Sequence, residues 1–162
     1  MHTSIKGTIV NDLIQNGYFI DQNFEHWFST YYPETPELPN YKGRLYSVLL
    51  KTGDHLQQNI PVRRDAPFTV TWAFTAKLIA DSGNDGAAIS TGFYAASDHQ
   101  SHITMVRDTE WQTYSHEDVQ PIVSNDGYLG ITFSDLIPLP DQGKRTAVHI
   151  TGFKLWATYL SA

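Results

Sequence analysis

Aromatic side chains on the polar face of predicted strands are the residues of this sequence best suited to contact a ligand. Aromatic residues make up 13% of the chain, and nine of them are tyrosines. An aromatic ring can stack on the apolar face of a sugar ring, while polar neighbours bond the sugar hydroxyls. The candidates for such a site, with their polar neighbours, are Tyr94, Tyr114, Tyr128, Trp156, Gln112, His116, Tyr31, Tyr32 and Tyr41. Each one alone is more often a half-buried structural residue, but together they favour a binding face.

Catalytic and metal chemistry have weaker support. No G-x-S-x-G, H-E-x-x-H, phosphate-binding or dinucleotide-binding motif is present. Glu110, Glu117 and Asp118 would need a cleft geometry that the sequence does not supply before they could act as an acid–base pair. Among seven histidines only His99 and His102 are close in sequence, which is a weak indication of zinc. The sequence therefore predicts a protein that is not an enzyme and has no metal site and no cofactor.

The length and composition predict a single soluble domain spanning residues 1–162. A formal net charge of −6 disfavours partners such as nucleic acid or anionic lipid, since both require clustered cations. No apolar run approaches the ~20 residues that a membrane-spanning helix needs. The absence of cysteine excludes a disulfide framework and thiolate chemistry. The first residues do not resemble a signal peptide, and the compartment stays open.

The segment Phe68–Leu78 gives the clearest indication of secondary structure. All of its even-numbered residues are apolar, and all of its odd-numbered ones except Ala73 are polar. Side chains of a strand alternate between faces, so this pattern predicts a central antiparallel strand with one buried face.

Further short apolar segments are separated by turn signals such as Asn16-Gly17 and Asn125-Asp126-Gly127. The first of these segments, residues 9–14, is partly apolar. The segments predicted as strands are residues 18–20, 26–28, 45–50, 56–62, 87–96, 102–107, 111–119, 129–133 and 146–160. About ten short strands without a helical period indicate an all-β fold, an antiparallel β-sandwich or a barrel. In the last strand, a bulge at Thr151-Gly152 would reverse the face of every residue after it.

Five short motifs occur along the chain in a fixed order. They are Leu13–Phe19 followed by Trp27, Leu56–Val62, Phe68–Lys77, Glu110–Tyr114 and Val148–Leu155. The first is an apolar pair before Asn-Gly, and the later ones include a Q-x-I-x-V strand and a W-x-x-Y strand. In this order they resemble bacterial jelly-roll carbohydrate-binding modules of the galactose-binding-like superfamily. The resemblance extends over nearly the whole chain, and the order of the motifs carries more weight than any one of them.

The resemblance implies an antiparallel β-sandwich of jelly-roll type that binds a glycan without catalysing a reaction. Its partner would be an oligosaccharide or polysaccharide, bound through the outward aromatic residues. The rival interpretation is a structural or assembly module, of phage-tail or toxin-complex type, whose sandwich binds protein. A homo-oligomer or a larger assembly stays open on either interpretation.

The resemblance also implies a structural calcium ion, and here the sequence departs from the family. The places that carry acidic residues in the family are occupied by Tyr18, Ile20, Thr151 and Gly152. Calcium prefers several oxygen ligands, carboxylates above all, and none of these four residues carries one. The sequence therefore predicts that this calcium site is lost, although Asp21 beside it could compensate in part.

Overall fold

The computed structural model describes residues 8–10, 12–30, 37–51, 55–63, 65–79, 86–94, 101–120, 127–134 and 147–159. Within these ranges the regular elements are strands and one short 3₁₀ turn, Ile20–Gln22. The strands are β1 (Thr8–Val10), β2 (Phe28–Thr30), β3 (Asn40–Lys42), β4 (Leu45–Tyr46), β5 (Val48–Lys51), β6 (His55–Ile60), β7 (Phe68–Leu78), β8 (Ala87–Tyr94), β9 (His102–Val106), β10 (Gln112–Gln120), β11 (Gly127–Ser134) and β12 (Ala147–Tyr159).

The strands form two five-stranded sheets and a small hairpin. The first sheet has the order β1-β12-β7-β10, with β5 paired to β12 beside β1. The second sheet has the order β2-β6-β11-β8-β9, and β3 pairs with β4 as a separate hairpin. Every described pairing is antiparallel. The predicted antiparallel β-sandwich is therefore confirmed.

Strand β7 is the centre of the core, and its predicted limits are confirmed. Every even-numbered residue from Phe68 to Leu78 is buried, and every odd-numbered one is half-buried. The core between the sheets also contains Leu56, Ile60 and Phe93 of the second sheet. Alternation along β7 thus assigns its apolar residues to the interior and its threonines to the outer face.

Strand β12 contains a bulge at the place that the sequence analysis considered for one. Its pairing with β7 shifts register between Thr151 and Lys154, where Gly152 has a φ of +66°. Val148 is buried before the bulge and Leu155 after it, so the inward positions change from even to odd numbers. The bulge therefore places Trp156 on the outer face of the first sheet, where its partner is Thr71.

The segment 18–20 is not a strand, contrary to the prediction. Phe19 and Asp21 have φ values of +49° and +55°, and the chain turns there instead of extending. The reason is tertiary packing: the buried Phe19 ring lies 5.5 Å from that of Trp27 and 6.1 Å from that of Phe153. Contacts with distant aromatic residues thus override the local preference of three apolar residues for a strand.

Candidate functional site

The outer face of the second sheet brings together two of the predicted site residues. Tyr128 of β11 pairs directly with Tyr94 of β8 on one side and with Asn59 of β6 on the other. Residues that pair directly across antiparallel strands share a face. The neighbouring positions on β6, Gln58 and Ile60, are buried, whereas Asn59 is exposed. Asn59, Tyr128 and Tyr94 therefore form one row on the outer face, which we call the tyrosine row.

The next row of residues on this face has glycines at its two central positions, Gly130 and Gly92. Gly130 of β11 pairs with Gly92 of β8 and with Gln57 of β6, and Gln57 in turn pairs with Phe28 of β2. Glycine inside a strand often marks a close approach of another group to the backbone. Gly92 is buried although it lies on the outer face. Neither glycine therefore places a side chain on this face beside the tyrosine row.

The two sides of this face differ in polarity. Strand β6 presents Asn59, Gln57 and His55, and Nε2 of His55 lies 3.1 Å from Oε1 of Gln57. Strand β9 presents Ile103 and Met105, which are 56% and 36% exposed. The β6 side of the face can therefore exchange hydrogen bonds, and the β9 side offers aliphatic surface.

An open pocket of about 380 Å³ lies at the β6 end of the tyrosine row. Its lining includes Asp12, Gln15, His26, Asn59 and Pro61. The volume lies within the range of small-molecule sites. Because Asn59 belongs both to the pocket and to the tyrosine row, the two features adjoin.

Three further predicted residues lie on the other sheet, and the prediction that they point outward is wrong. Gln112, Tyr114 and His116 of β10 pair with Ala76, Phe74 and Trp72, the buried residues of β7. They therefore share the inner face of the first sheet. Their polarity is tolerated there because β10 is an edge strand, so that Gln112 stays exposed and the other two are half-buried.

Tyr114 is part of the core margin. Its ring lies 5.7 Å from that of Phe74 and packs against the core cluster. Burial, with a smaller contribution from the Asp108 carboxylate, raises the pKa of the Tyr114 hydroxyl. This position is structural in the fold and lies apart from the tyrosine row.

His116 forms a stacked pair with His102 between the edges of the two sheets. The ring centroids are 5.1 Å apart, and both rings contact Trp72. Nε2 of His116 lies 2.6 Å from the Thr104 hydroxyl. Burial, and then the neighbouring His102, lower the pKa of His116. The sequence suggested His99 as the partner of His102, but residue 99 lies outside the described residues.

Trp156 does face outward, as predicted, but on the opposite side of the sandwich. It is half-buried on the outer face of the first sheet, where Lys154 and Thr158 lie on the same side of β12. The structure therefore separates Trp156 from Tyr94 and Tyr128. The nine predicted residues do not form one face.

A second aromatic cluster surrounds Tyr41, one of the predicted site residues, and includes Trp111, which the sequence did not single out. The Trp111 ring lies 4.8 Å from that of Tyr41 in an edge-to-face arrangement, and the Tyr18 ring stacks on Tyr41 at 6.1 Å. The ammonium of Lys77 lies over the Trp111 ring at 4.9 Å, and His149 lies 6.1 Å from it. Trp111 could have been found from its spacing. It precedes Thr113 by two residues, and Thr113 lies on the outer face of the first sheet, where it pairs with Thr75. Tyr31 and Tyr32 lie outside the described residues.

The residues at the sequence positions of the family's calcium ligands make contacts with one another and with Tyr46. The position of a Cβ on Gly152 would lie 3.2 Å from Cε1 of Tyr18, and the Thr151 hydroxyl donates to the backbone oxygen of Tyr46. Asp21 forms an ion pair with Arg44. Arg44 lowers the pKa of this carboxyl, chiefly through the hydrogen bond. These residues do not fit a calcium ion, because none of the four carries a carboxylate and that of Asp21 already has a cationic partner.

Across the described ranges, no three His, Asp or Glu side chains are grouped so that they could hold a metal ion. Within the same ranges, no helix has the length and apolar character needed to span a membrane.

Comparison with known proteins finds similarity of fold. No protein-family model matches the chain, and no curated protein matches its sequence. The CBM22-1 xylan-binding domain of Paenibacillus barcinonensis Xyn10C matches at a TM-score of 0.61 and 14% identity, over 99% of this chain and 100% of that domain. A family 16 carbohydrate-binding module (module 2) matches at 0.58 and 14% identity, over 89% and 99% of the two chains.

A third similar structure belongs to a larger protein. The enzymatically active domain of tailspike protein 4 from bacteriophage CBA120 matches at a TM-score of 0.60 and 13% identity. The match covers 89% of this chain and 21% of the tailspike chain. The predicted jelly-roll architecture is confirmed by the carbohydrate-binding modules, and the chain shares their antiparallel β-sandwich fold.

Proposed function

We propose that this protein binds a glycan, without catalysis, on the outer face of its second sheet. The observation that carries the proposal is the tyrosine row, in which Tyr94 and Tyr128 are direct cross-strand partners and Asn59 continues the line. Cross-strand neighbours have Cβ atoms about 5 Å apart, so two rings on one face can contact the same ligand.

The residues around the row suit sugar hydroxyls. Asn59 and Gln57 each carry an amide that both donates and accepts hydrogen bonds, and the hydroxyl of a tyrosine does the same. Apolar stacking with a few placed polar groups is the usual composition of a small-molecule site.

The fold comparison supports the same function. One similar structure is a xylan-binding domain and another is a carbohydrate-binding module. The described positions on the outer face of the second sheet include no aspartate or glutamate. Glycoside hydrolysis ordinarily uses a pair of carboxylic acids, so this face is suited to binding alone.

The test is calorimetric titration against a panel of neutral and acidic oligosaccharides. Tyr94→Ala and Tyr128→Ala should each weaken binding about tenfold or more, since a desolvated aromatic contact contributes on the order of 1–3 kcal/mol. Trp156→Ala is the matched aromatic control, because Trp156 lies on the other face of the sandwich. Equal weakening by Trp156→Ala and Tyr94→Ala would contradict the location of the site.

A second candidate function is an assembly module that binds protein. The observations that favour it are the exposed apolar residues Ile103, Met105 and Val119 on the edge strands β9 and β10, and the similarity to part of a tailspike. Exposed apolar edges are typical of protein contacts. A folded sample that binds no oligosaccharide of the panel would favour this function over glycan binding.

A further inference from the structure

We propose that the pocket at the β6 end of the tyrosine row holds the terminal ring of a neutral glycan chain, whose following rings lie over Tyr128 and Tyr94. This inference rests on the proposed function. It adds the direction in which the glycan lies, the place of its terminal ring and a preference for a neutral ring there. The pocket lies where β2 no longer pairs with β6. Beyond Gln57, the segment 12–15 and His26 line the space beside the strand instead.

The walls of the pocket are held in place by hydrogen bonds. The side chain of Gln58, only 3% exposed, accepts from the backbone N–H of Gln15 and donates to its carbonyl oxygen, both at 2.8 Å. Oδ1 of Asp12 accepts from the backbone N–H groups of Ile14 and Leu155, both at 3.1 Å. A pocket with fixed walls loses less entropy when a ligand binds than one that must first be ordered.

The polar groups of the lining suit hydroxyls and disfavour anions. A carboxylate has about four lone-pair sites, and the recorded bonds of Asp12 use two of them, on Oδ1. Asn59 and His26 are exposed side chains that add donors and acceptors. A neutral sugar ring can donate its hydroxyls to the Asp12 carboxylate, whereas a uronic acid or sulfated ring would bring a second negative charge beside it.

The direction of the glycan follows from the strand order. The tyrosine row crosses β8, β11 and β6, which is two inter-strand spacings or roughly 10 Å. A chain lying along this row runs across the strands and reaches the pocket only when it is long enough. Affinity should therefore rise with oligosaccharide length until the terminal ring enters the pocket, and then level off.

The experiment measures binding of a neutral oligosaccharide series of increasing length, and of the same series ending in a uronic acid, by calorimetry. Gln15→Trp fills the pocket and leaves the backbone bonds of residue 15 to Gln58 available. Glu117→Trp is the control, because it adds the same bulk at an exposed position on the outer face of the first sheet. Asp12→Asn keeps an oxygen acceptor for the two backbone N–H groups and removes the charge.

We expect Gln15→Trp to bind short oligosaccharides with the affinity of the wild type. For long oligosaccharides its affinity should be roughly tenfold lower than that of the wild type, because one or two hydrogen bonds in the pocket are lost. Asp12→Asn should reduce the difference in affinity between oligosaccharides with a neutral terminal ring and those that end in a uronic acid. If the wild type binds glycan and Gln15→Trp binds long oligosaccharides with the same affinity, the proposed role of the pocket is refuted. The proposed role of the tyrosine row would then still stand. Absence of all binding by the wild type would refute the proposed function, and this inference with it.

Discussion

Removing the indole of Trp72 is the sharpest test of the core. Trp72 is 1% exposed at the centre of β7, and its Nε1 donates to the hydroxyl of the buried Thr91 in the opposite sheet at 2.9 Å. The residue thus contributes both packing and the one described side-chain hydrogen bond that joins β7 to β8. Trp72→Ala removes both at once.

The expected loss follows from these two contributions. Truncation of a buried aromatic residue to alanine typically costs about 3–5 kcal/mol. The Thr91 hydroxyl then stays buried without its partner, which adds about 1 kcal/mol or more. A total of about 4–6 kcal/mol is comparable with the whole stability of an ordinary domain, so Trp72→Ala could unfold the protein. Trp72→Phe keeps most of the packing and should cost about 1–3 kcal/mol, chiefly through the lost hydrogen bond.

Equilibrium urea unfolding of the two Trp72 variants and of Trp156→Ala provides the measurement. Trp156 is a matched control, since it lies on the adjacent strand, pairs with Thr71 next to Trp72, and occupies the outer face. Its truncation should cost only about 1 kcal/mol. Similar losses for Trp72→Ala and Trp156→Ala would refute the assignment of faces in the first sheet.

Two other predictions concern the opening segment and the histidines. Gly17→Ala should lose about 1–3 kcal/mol, because a Cβ at this position would lie 2.1 Å from the carbonyl oxygen of Phe153; urea unfolding unchanged from the wild type would contradict that contact. Stability should fall as the pH decreases from 7 to 5, because the folded state lowers the pKa of His116 and favours its neutral form. The stability that neutral His116 contributes is fully present above about pH 6.5, the pKa of an unfolded histidine. It is lost as the pH falls through the lower pKa of the folded state. In thermal melts, His116→Phe should flatten the pH profile without abolishing it, since the pKa of His149 is lowered too; an unchanged profile would refute the role of His116.

The fold was predictable where one strand carries a strong alternation by itself. Strand β7 has the limits and the buried parity that its sequence indicates, because its apolar residues fill one face completely. For β12 the sequence located the place where a bulge could form, at Thr151-Gly152, but did not show that it forms. Strand β10 was predicted at nearly its observed limits, but the face of its residues was not. An edge strand tolerates polar residues on its inner face, and Gln112 to His116 then resemble an outward pattern.

The candidate site could be predicted only in part. Tyr94 and Tyr128 were recognisable as outward residues, but alternation specifies a face and not a sheet. Their pairing depends on contacts between β8 and β11, about 35 residues apart in the chain, and no local pattern encodes such a partner. The same limit hid the contact between Tyr41 and Trp111, which come from the β3–β4 hairpin and the start of β10.

The position of β12 in the first sheet has a consequence for synthesis. The strand pairs with β7 along one edge and with β1 and β5 along the other, although it follows them all in the chain. On the ribosome, the first sheet cannot close until residues 147–159 have emerged. Until then the eleven residues of β7 have one unpaired edge, and such edges pair readily with other chains. A nascent chain arrested before residue 147 should therefore aggregate through β7, and chaperones that shield extended segments would act during that interval.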